Sequence, residues 1–171
     1  MYLVNDIGFE RNKFEKINVL KILFLGYPIV GFVWFLIYLG HSDDKNGNAF
    51  FFIVMFPFMI GLLTLFIFLT LRTMKRWNKT IEQICVENDK IKATSFSILW
   101  MKSMEYSFSF NEVKIKKSIF EWYGKEKKEG ITITIDKDIN IYIVKEYFDE
   151  YEIILSELND LGVKGKINEA Y

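Results

Sequence analysis

The chain has 171 residues, of which 51% are hydrophobic and 18% aromatic, and 22 basic and 22 acidic side chains give it a formal net charge of zero. The charge is unevenly placed, because nine basic and five acidic side chains precede or include Lys79 while thirteen and seventeen follow it. This pattern, with the apolar residues concentrated in the first half, excludes a uniformly soluble globule and a disordered chain. One cysteine and one histidine exclude an internal disulfide framework and a histidine-rich metal site.

Two long uncharged stretches, residues 22–39 and 49–71, are each predicted to form a transmembrane helix. At about 1.5 Å per residue, both are long enough to cross the hydrocarbon core of a bilayer. Backbone amides cannot remain unpaired in lipid, which leaves the helix as the structure that fits. Pro28 and Pro57 are the only prolines of the chain, and their positions inside the two stretches predict kinks.

The charges that flank these stretches predict their orientation. Basic side chains precede the first stretch and follow the second, whereas the loop over residues 40–48 holds Asp43, Asp44 and a single lysine. The positive-inside rule therefore places residues 1–21 and the C-terminal half in the cytoplasm and residues 40–48 outside. Residues 72–80 are predicted to form a basic juxtamembrane linker. Five of its side chains are expected at the lipid headgroups: Arg72, Lys75, Arg76, Trp77 and Lys79.

The chain beyond this linker alternates apolar and polar residues, which predicts an antiparallel β-domain over residues 81–162. The predicted strands cover residues 81–87, 90–96, 98–102, 104–110, 113–123, 131–135 and 139–144. From residue 145 the apolar residues recur every three or four positions, which predicts an amphipathic helix that stops at Gly162. Residues 163–171 are expected to be a polar tail. The fold class is therefore an α+β membrane protein.

Three stretches carry a resemblance to a known group: residues 106–116 (YSFSFNEVKIK), 131–143 (ITITIDKDINIYI) and 157–162 (ELNDLG). Together with the helical hairpin, they make the chain from Ile22 to Leu161 similar to bacterial PH-like domain membrane proteins. The resemblance implies a two-helix transmembrane hairpin followed by a PH-like antiparallel β-sandwich or barrel, capped by the C-terminal helix. It also implies a binding or scaffold role at the inner (cytoplasmic) membrane, without a particular ligand.

A second resemblance leaves an alternative open. Two-transmembrane β-barrel effectors of bacterial cyclic-nucleotide antiphage signalling share the N-terminal hairpin and the small cytoplasmic β-domain. In that group the domain senses a nucleotide and the helices perturb the membrane. A nucleotide site of this kind would use basic side chains with an aromatic ring for stacking, and the candidates are Lys114, Lys116, Lys117, Trp122 and Tyr123.

The inventory of catalytic groups is poor. His41 lies beside Ser42 and Asp43, but three adjacent residues cannot adopt the geometry of a catalytic triad. Cys85 alternates with apolar residues and is expected to be a small, buried hydrophobe. Neither a phosphate-binding loop nor a metal-type acidic cluster is present in the sequence. We therefore expect no enzyme activity, cofactor or metal, and the acidic C-terminal half disfavours a nucleic-acid polymer as partner.

The best candidate for an interaction surface is the apolar stretch around Trp100. If residues 98–102 form a strand, Ile98 and Trp100 lie on one face while Leu99 and Met101 lie on the other. A half-exposed strand would then present apolar groups to solvent, and something should cover them. We expect a protein partner, a second copy of the chain or the lipid bilayer to contact Ile98, Leu99, Trp100 and Met101.

Overall fold

The computed structural model describes residues 1–41, 51–87, 90–109, 113–121, 127–135 and 139–160. It divides into two compact units. The first, which we call the β-domain, comprises Met1–Lys13 and Met74–Tyr171; the second, the helical hairpin, comprises Phe14–Thr73. The architecture is α+β, with two long apolar helices, two antiparallel sheets and a C-terminal helix, which confirms the predicted fold class at this level.

The elements follow in chain order. They are β1 (Tyr2–Leu3), α1 (Asp6–Lys21), a π-helical turn (Ile22–Gly26), α2 (Tyr27–His41), a second π-helical turn (Phe51–Met55), α3 (Phe56–Trp77), β2 (Ile81–Glu87), β3 (Lys90–Ser95), β4 (Glu105–Ser109), β5 (Val113–Phe120), β6 (Lys128–Ile135), β7 (Ile139–Val144), a 3-10 turn (Lys145–Tyr147) and α4 (Tyr151–Asp160).

The helical hairpin contains the two predicted apolar helices. The first belongs to one continuous helix, Asp6–Gly40, and the second to Ile53–Trp77; both are long and apolar enough to cross a membrane. Tyr27 packs edge-on against Phe66 with ring centroids 6.4 Å apart, and Trp34 lies 6.2 Å from Phe58. Because the later residue of one helix meets the earlier residue of the other, the two helices run antiparallel.

Each proline follows a π-helical turn. The first turn, Ile22–Gly26, closes with the backbone N–H of Tyr27 donating to the carbonyl of Ile22, five residues earlier. Pro28 has no N–H to donate, and its ring crowds the carbonyl four residues back, so a wider turn relieves the clash. The second turn, Phe51–Met55, precedes Pro57 in the same way. The backbone therefore adjusts locally at both of the positions where proline predicted a disturbance.

The β-domain contains two antiparallel sheets, with the orders β1-β2-β3-β4 and β5-β6-β7. Strand β1 was not predicted from the sequence. It comes from the N-terminal segment and pairs with β2, with Tyr2 opposite Ile84 and Leu3 opposite Gln83. The chain on both sides of the helical hairpin therefore builds one sheet.

The core of the β-domain is aliphatic. Alternate residues of β6 and β7 have no exposed surface, and α4 adds Ile154 and Leu158. The predicted C-terminal helix is confirmed but begins at Tyr151 instead of residue 145, because a 3-10 turn and the extended Phe148 come first. Its predicted stop, Gly162, lies outside the described residues. The buried residues of the two strands are Ile131, Ile133, Ile141 and Ile143.

The predicted strand over residues 98–102 is wrong. Residues 98–101 form a tight turn, in which the backbone N–H groups of Ile98 and Met101 each donate to the carbonyl of the other at 2.9 Å. We call it the Trp100 turn. The apolar run predicted a strand because local pattern alone cannot separate a short strand from a turn whose apolar residues have different environments.

Candidate functional site

The end of helix α3 lies in the core of the β-domain. Met74 has no exposed surface and Trp77 is 1% exposed. The indole of Trp77 stacks on Tyr147 at 6.1 Å and meets Phe96 edge-on at 5.5 Å. The predicted lipid-headgroup position of Trp77 is therefore wrong, because this ring is buried among other rings.

The N-terminal segment is fastened to the same core. Asn5 caps helix α1, with its Oδ1 accepting the N–H of Gly8 at 3.2 Å. Its Nδ2 donates to the carbonyl of Glu146 at 3.0 Å and to Oδ1 of Asp149 at 2.8 Å. Gly8 sits so close to Tyr147 that an added Cβ would lie 3.0 Å from the Cβ of that tyrosine. Only a glycine lets α1 approach Tyr147 this closely.

Strand β1 is also joined to helix α4. The hydroxyl of Tyr2 donates to Oε1 of Glu157 at 2.6 Å, and this hydrogen bond raises the pKa of Tyr2. Within α4, burial raises the pKa of Tyr151 to about 12. Both effects favour the neutral phenol.

The segment that follows α3 connects the two sheets. The carbonyl of Thr80 accepts the N–H of Phe96 at 2.9 Å, while the carbonyl of Lys79 accepts the N–H of Tyr142 at 2.9 Å. The side chain of Thr80 has no exposed surface, and its hydroxyl donates to the carbonyl of Arg76 at 3.1 Å. The predicted basic linker is therefore partly built into the domain. Of its cationic side chains, Arg72 and Lys75 are exposed and Arg76 and Lys79 are half-buried.

Asn78 holds the Trp100 turn. Its side chain is 4% exposed, and its Nδ2 donates to the carbonyl of Phe96 at 3.2 Å and to that of Lys102 at 2.7 Å. These carbonyls lie on the two stems of the turn. A further bond, from the N–H of Met104 to Oγ of Ser95 at 2.8 Å, closes the stems below. The first residue after α3 therefore fixes the place of the turn.

The four residues of the turn differ in their exposure to solvent. Ile98 has no exposed surface, whereas Trp100 is 61% exposed. Leu99 and Met101 are half-buried. Leu99 has a φ of 51°, in the left-handed region that costs a residue with a side chain about 1–2 kcal/mol. Of the four residues proposed to contact a partner, Ile98 belongs to the core and Trp100 is the one presented at the surface.

The lysines of the alternative nucleotide site lie along one strand. Lys114, Lys116 and Lys117 are exposed on β5, while Trp122 and Tyr123 lie outside the described residues. Neither of the two cavities described below is lined by these lysines. Lys114 and Lys116 lie on one face of the strand and Lys117 on the other, so the three exposed ammonium groups do not form one cluster.

An open groove of about 540 Å³ runs across the outer face of β2, β3 and β4. Two of its lining side chains form an ion pair, with Nζ of Lys92 2.7 Å from Oε2 of Glu87. This hydrogen bond lowers the pKa of Glu87 and raises that of Lys92. Cys85, half-buried instead of fully buried, lines the same groove with its Sγ 3.7 Å from Oε1 of Glu87.

Within the helical hairpin, a smaller apolar cavity of about 90 Å³ is lined by Ile22, Gly26, Tyr27, Val30 and Phe66. It lies beside the first π-helical turn. Over the part of the chain that the structure describes, no group of three or more His, Cys, Asp or Glu side chains could hold a metal ion.

In comparisons with known proteins, no family model matches this chain, and neither a curated protein nor a solved structure matches it at a significant level. Three residues that position the N-terminal segment and the Trp100 turn, Asn5, Gly8 and Asn78, were not singled out from the sequence. Of these, the Asn5-Asp6 pair carries a visible signal, since asparagine followed by an acidic residue is a typical helix start.

Proposed function

We propose that this protein is a non-enzymatic, membrane-anchored binding or scaffold protein. Its helical hairpin spans the inner (cytoplasmic) membrane, and its PH-like β-domain is presented at the cytoplasmic face to a protein partner or to further copies of the chain. The single observation that carries the proposal is the exposure of the two apolar helices. Only 6% of the most apolar window of each is buried.

This exposure separates a membrane helix from the core helix of a soluble protein. A core helix buries its apolar side chains against the rest of the protein, whereas Phe24 is 72% exposed, Phe32 62% and Ile53 75%. Leaving one such side chain in water forgoes roughly 1.5–3 kcal/mol. Lipid removes this cost. Two hydroxyls of the second helix are also satisfied internally, since Thr64 donates to the carbonyl of Ile60 at 2.8 Å and Thr73 to that of Leu69 at 3.0 Å.

The pairing of β1 with β2 supports a two-crossing topology. Residues before the hairpin and residues after it lie in one sheet, so both must be in the same compartment. An even number of crossings satisfies this condition, and two candidate helices provide it. The basic residues on either side of the hairpin favour the cytoplasm as that compartment.

The PH-like assignment is supported by the count and order of elements. A four-stranded sheet is followed by a three-stranded sheet and then by an amphipathic helix, whose Ile154 and Leu158 are buried. Such a domain provides surfaces for recognition, and the open groove on β2, β3 and β4 is a surface of that kind.

Labelling of single cysteines in the full-length protein tests the anchoring. In a Cys85→Ser background, we expect Asp43→Cys to react with a membrane-impermeant maleimide on intact spheroplasts. Lys90→Cys, on an exposed strand position, should react only after permeabilisation. Reaction of both variants on intact cells, or release of the protein by alkaline carbonate without detergent, would contradict the proposal.

Mass measurement in mild detergent tests the scaffold role. We expect the purified full-length protein to carry a co-purifying protein or to sediment as more than one copy. Calorimetric titration with a panel of cyclic dinucleotides is the matching control. Binding there, with a monomeric protein, would favour the nucleotide-sensing effector instead.

A further inference from the structure

We propose that the Trp100 turn inserts its tip into the interfacial layer of the same bilayer, with Trp100 and Leu99 among the lipid headgroups. This inference rests on the proposed anchoring of the helical hairpin and adds a second contact with the lipid, made by the β-domain itself. The occupant is the lipid surface. Three observations carry it: where the turn is held, which backbone it adopts and which side chains it presents.

The turn is held at the point where helix α3 ends. Both of its stems are hydrogen-bonded to Asn78, the first residue after Trp77. Leu71 is the last residue of the uncharged stretch, and Asn78 lies seven positions after it. At about 1.5 Å per helical residue, this is a path of about 10 Å along α3. A short covalent path along one helix therefore joins the uncharged stretch to Asn78, the residue that holds both stems of the turn.

The backbone conformation at residue 99 favours a small residue, although the chain has a leucine there. A φ of 51° at Leu99 suits glycine or asparagine, which adopt the left-handed region readily. The chain nevertheless has a large apolar side chain at this position. Strain of this sort, kept by bonds on both stems, is typical of a functional site. The tip of the turn thus carries two consecutive apolar residues, the half-buried Leu99 and the exposed Trp100.

The exposed side chains have the chemistry of a membrane interface. Trp100 is 61% exposed and Met104 49% exposed. Tryptophan is enriched at the boundary between water and lipid because its ring is apolar and its N–H is a donor. Lys102, exposed on the stem, suits an anionic headgroup. A solvent-facing turn would gain nothing from this combination, whereas an interfacial one uses every part of it.

Quenching by brominated lipid tests the proposal on the full-length protein. The chain has four tryptophans, so we subtract the emission of Trp100→Phe from that of the unmodified protein, both reconstituted in vesicles. The difference between the two spectra is the emission of Trp100. We expect it to lose most of its intensity when the lipids carry bromine in the upper acyl chain, and to be shielded from aqueous iodide.

A matched control uses a second exposed apolar position of the β-domain. Ile119 is 59% exposed on β5, and Ile119→Trp in the Trp100→Phe background should respond to iodide and not to brominated lipid. A Trp100 emission that responds to iodide and ignores brominated lipid overturns the proposal.

The same data separate this inference from the anchoring on which it rests. The emission that remains in Trp100→Phe includes Trp34, which lies in the first apolar helix. Quenching of this remainder with an unquenched Trp100 refutes the turn and keeps the anchor. Quenching of Trp100 with an unquenched remainder supports the turn and refutes the anchor.

Discussion

Trp77 and Trp100 contrast two regions whose tryptophans were both proposed as surface contacts. Trp77 stands in the basic linker between Lys75 and Lys79, whereas Trp100 stands in an apolar stretch that ends before Lys102. In the structure Trp77 is 1% exposed and Trp100 is 61% exposed. The difference is that Trp77 belongs to a helix end, where Tyr147 and Phe96 reach it, whereas Trp100 stands at the tip of a two-stemmed turn. A tryptophan near a membrane helix is therefore an interfacial anchor only if the rest of the chain leaves it uncovered.

The largest expected effect comes from removing the buried ring. Trp77→Ala should lower the free energy of unfolding of the β-domain by about 3–5 kcal/mol, because it leaves a cavity beside Tyr147 and Phe96. Trp100→Ala should change it by no more than about 0.5 kcal/mol, because that ring is exposed. Denaturant unfolding of the full-length protein in detergent, followed by the β-sheet signal, measures both.

The matched pair also shows what would contradict the comparison. Equally large losses of unfolding free energy in the two variants would mean that Trp100 is covered in the folded protein. Equal and small losses would mean that Trp77 is not part of the core.

A smaller effect is expected where the N-terminal segment meets this core. Gly8→Ala should lower the free energy of unfolding by about 1–3 kcal/mol, because the new methyl group would lie 2.9 Å from Val4 and 3.0 Å from Tyr147. Gly31→Ala is the control, since nothing lies within 4 Å of the added Cβ. It should be neutral or slightly stabilising in the same assay, as alanine favours the helix. A neutral Gly8→Ala would show that α1 does not pack on Tyr147.

Asn78, which follows Trp77 and holds the Trp100 turn, should give a loss of unfolding free energy similar to or smaller than that of Gly8→Ala. Asn78→Ala removes the donor to Phe96 and Lys102 and leaves their carbonyls without it, at a cost of about 1–3 kcal/mol. Asn140→Ala, which loses a half-buried bond of 2.7 Å with Thr134, should cost less. In the lipid-quenching experiment, Asn78→Ala should also weaken the response of Trp100. An unchanged response would show that the turn does not depend on Asn78 for its position.

Much of this fold was predictable because its signals are local. Two uncharged stretches indicated the apolar helices, and strict alternation in residues 131–135 and 139–144 indicated β6 and β7. The order of the sheets depends on long-range pairing, and a two-residue strand such as β1 has too little pattern to be seen. Burial of Trp77 was missed for the same reason, since the rings that cover it come from residues 96 and 147. The Trp100 turn was missed because a leucine stands where a turn signal would place glycine.

The smallest expected effect separates the contribution of backbone strain in the turn from that of its side chains. Leu99→Ala and Leu99→Gly both remove the half-buried leucine, but only glycine relieves the left-handed φ of 51°. Elsewhere in a folded chain glycine is less stable than alanine by roughly 0.5–1 kcal/mol. At residue 99 we expect the reverse, with Leu99→Gly more stable than Leu99→Ala by about 1 kcal/mol in denaturant unfolding. Both variants should weaken the quenching of Trp100 by brominated lipid, because the tip loses one of its two apolar side chains. If alanine proves the more stable of the two, the turn carries no strain, and nothing in the backbone then indicates that a leucine is kept there for the membrane.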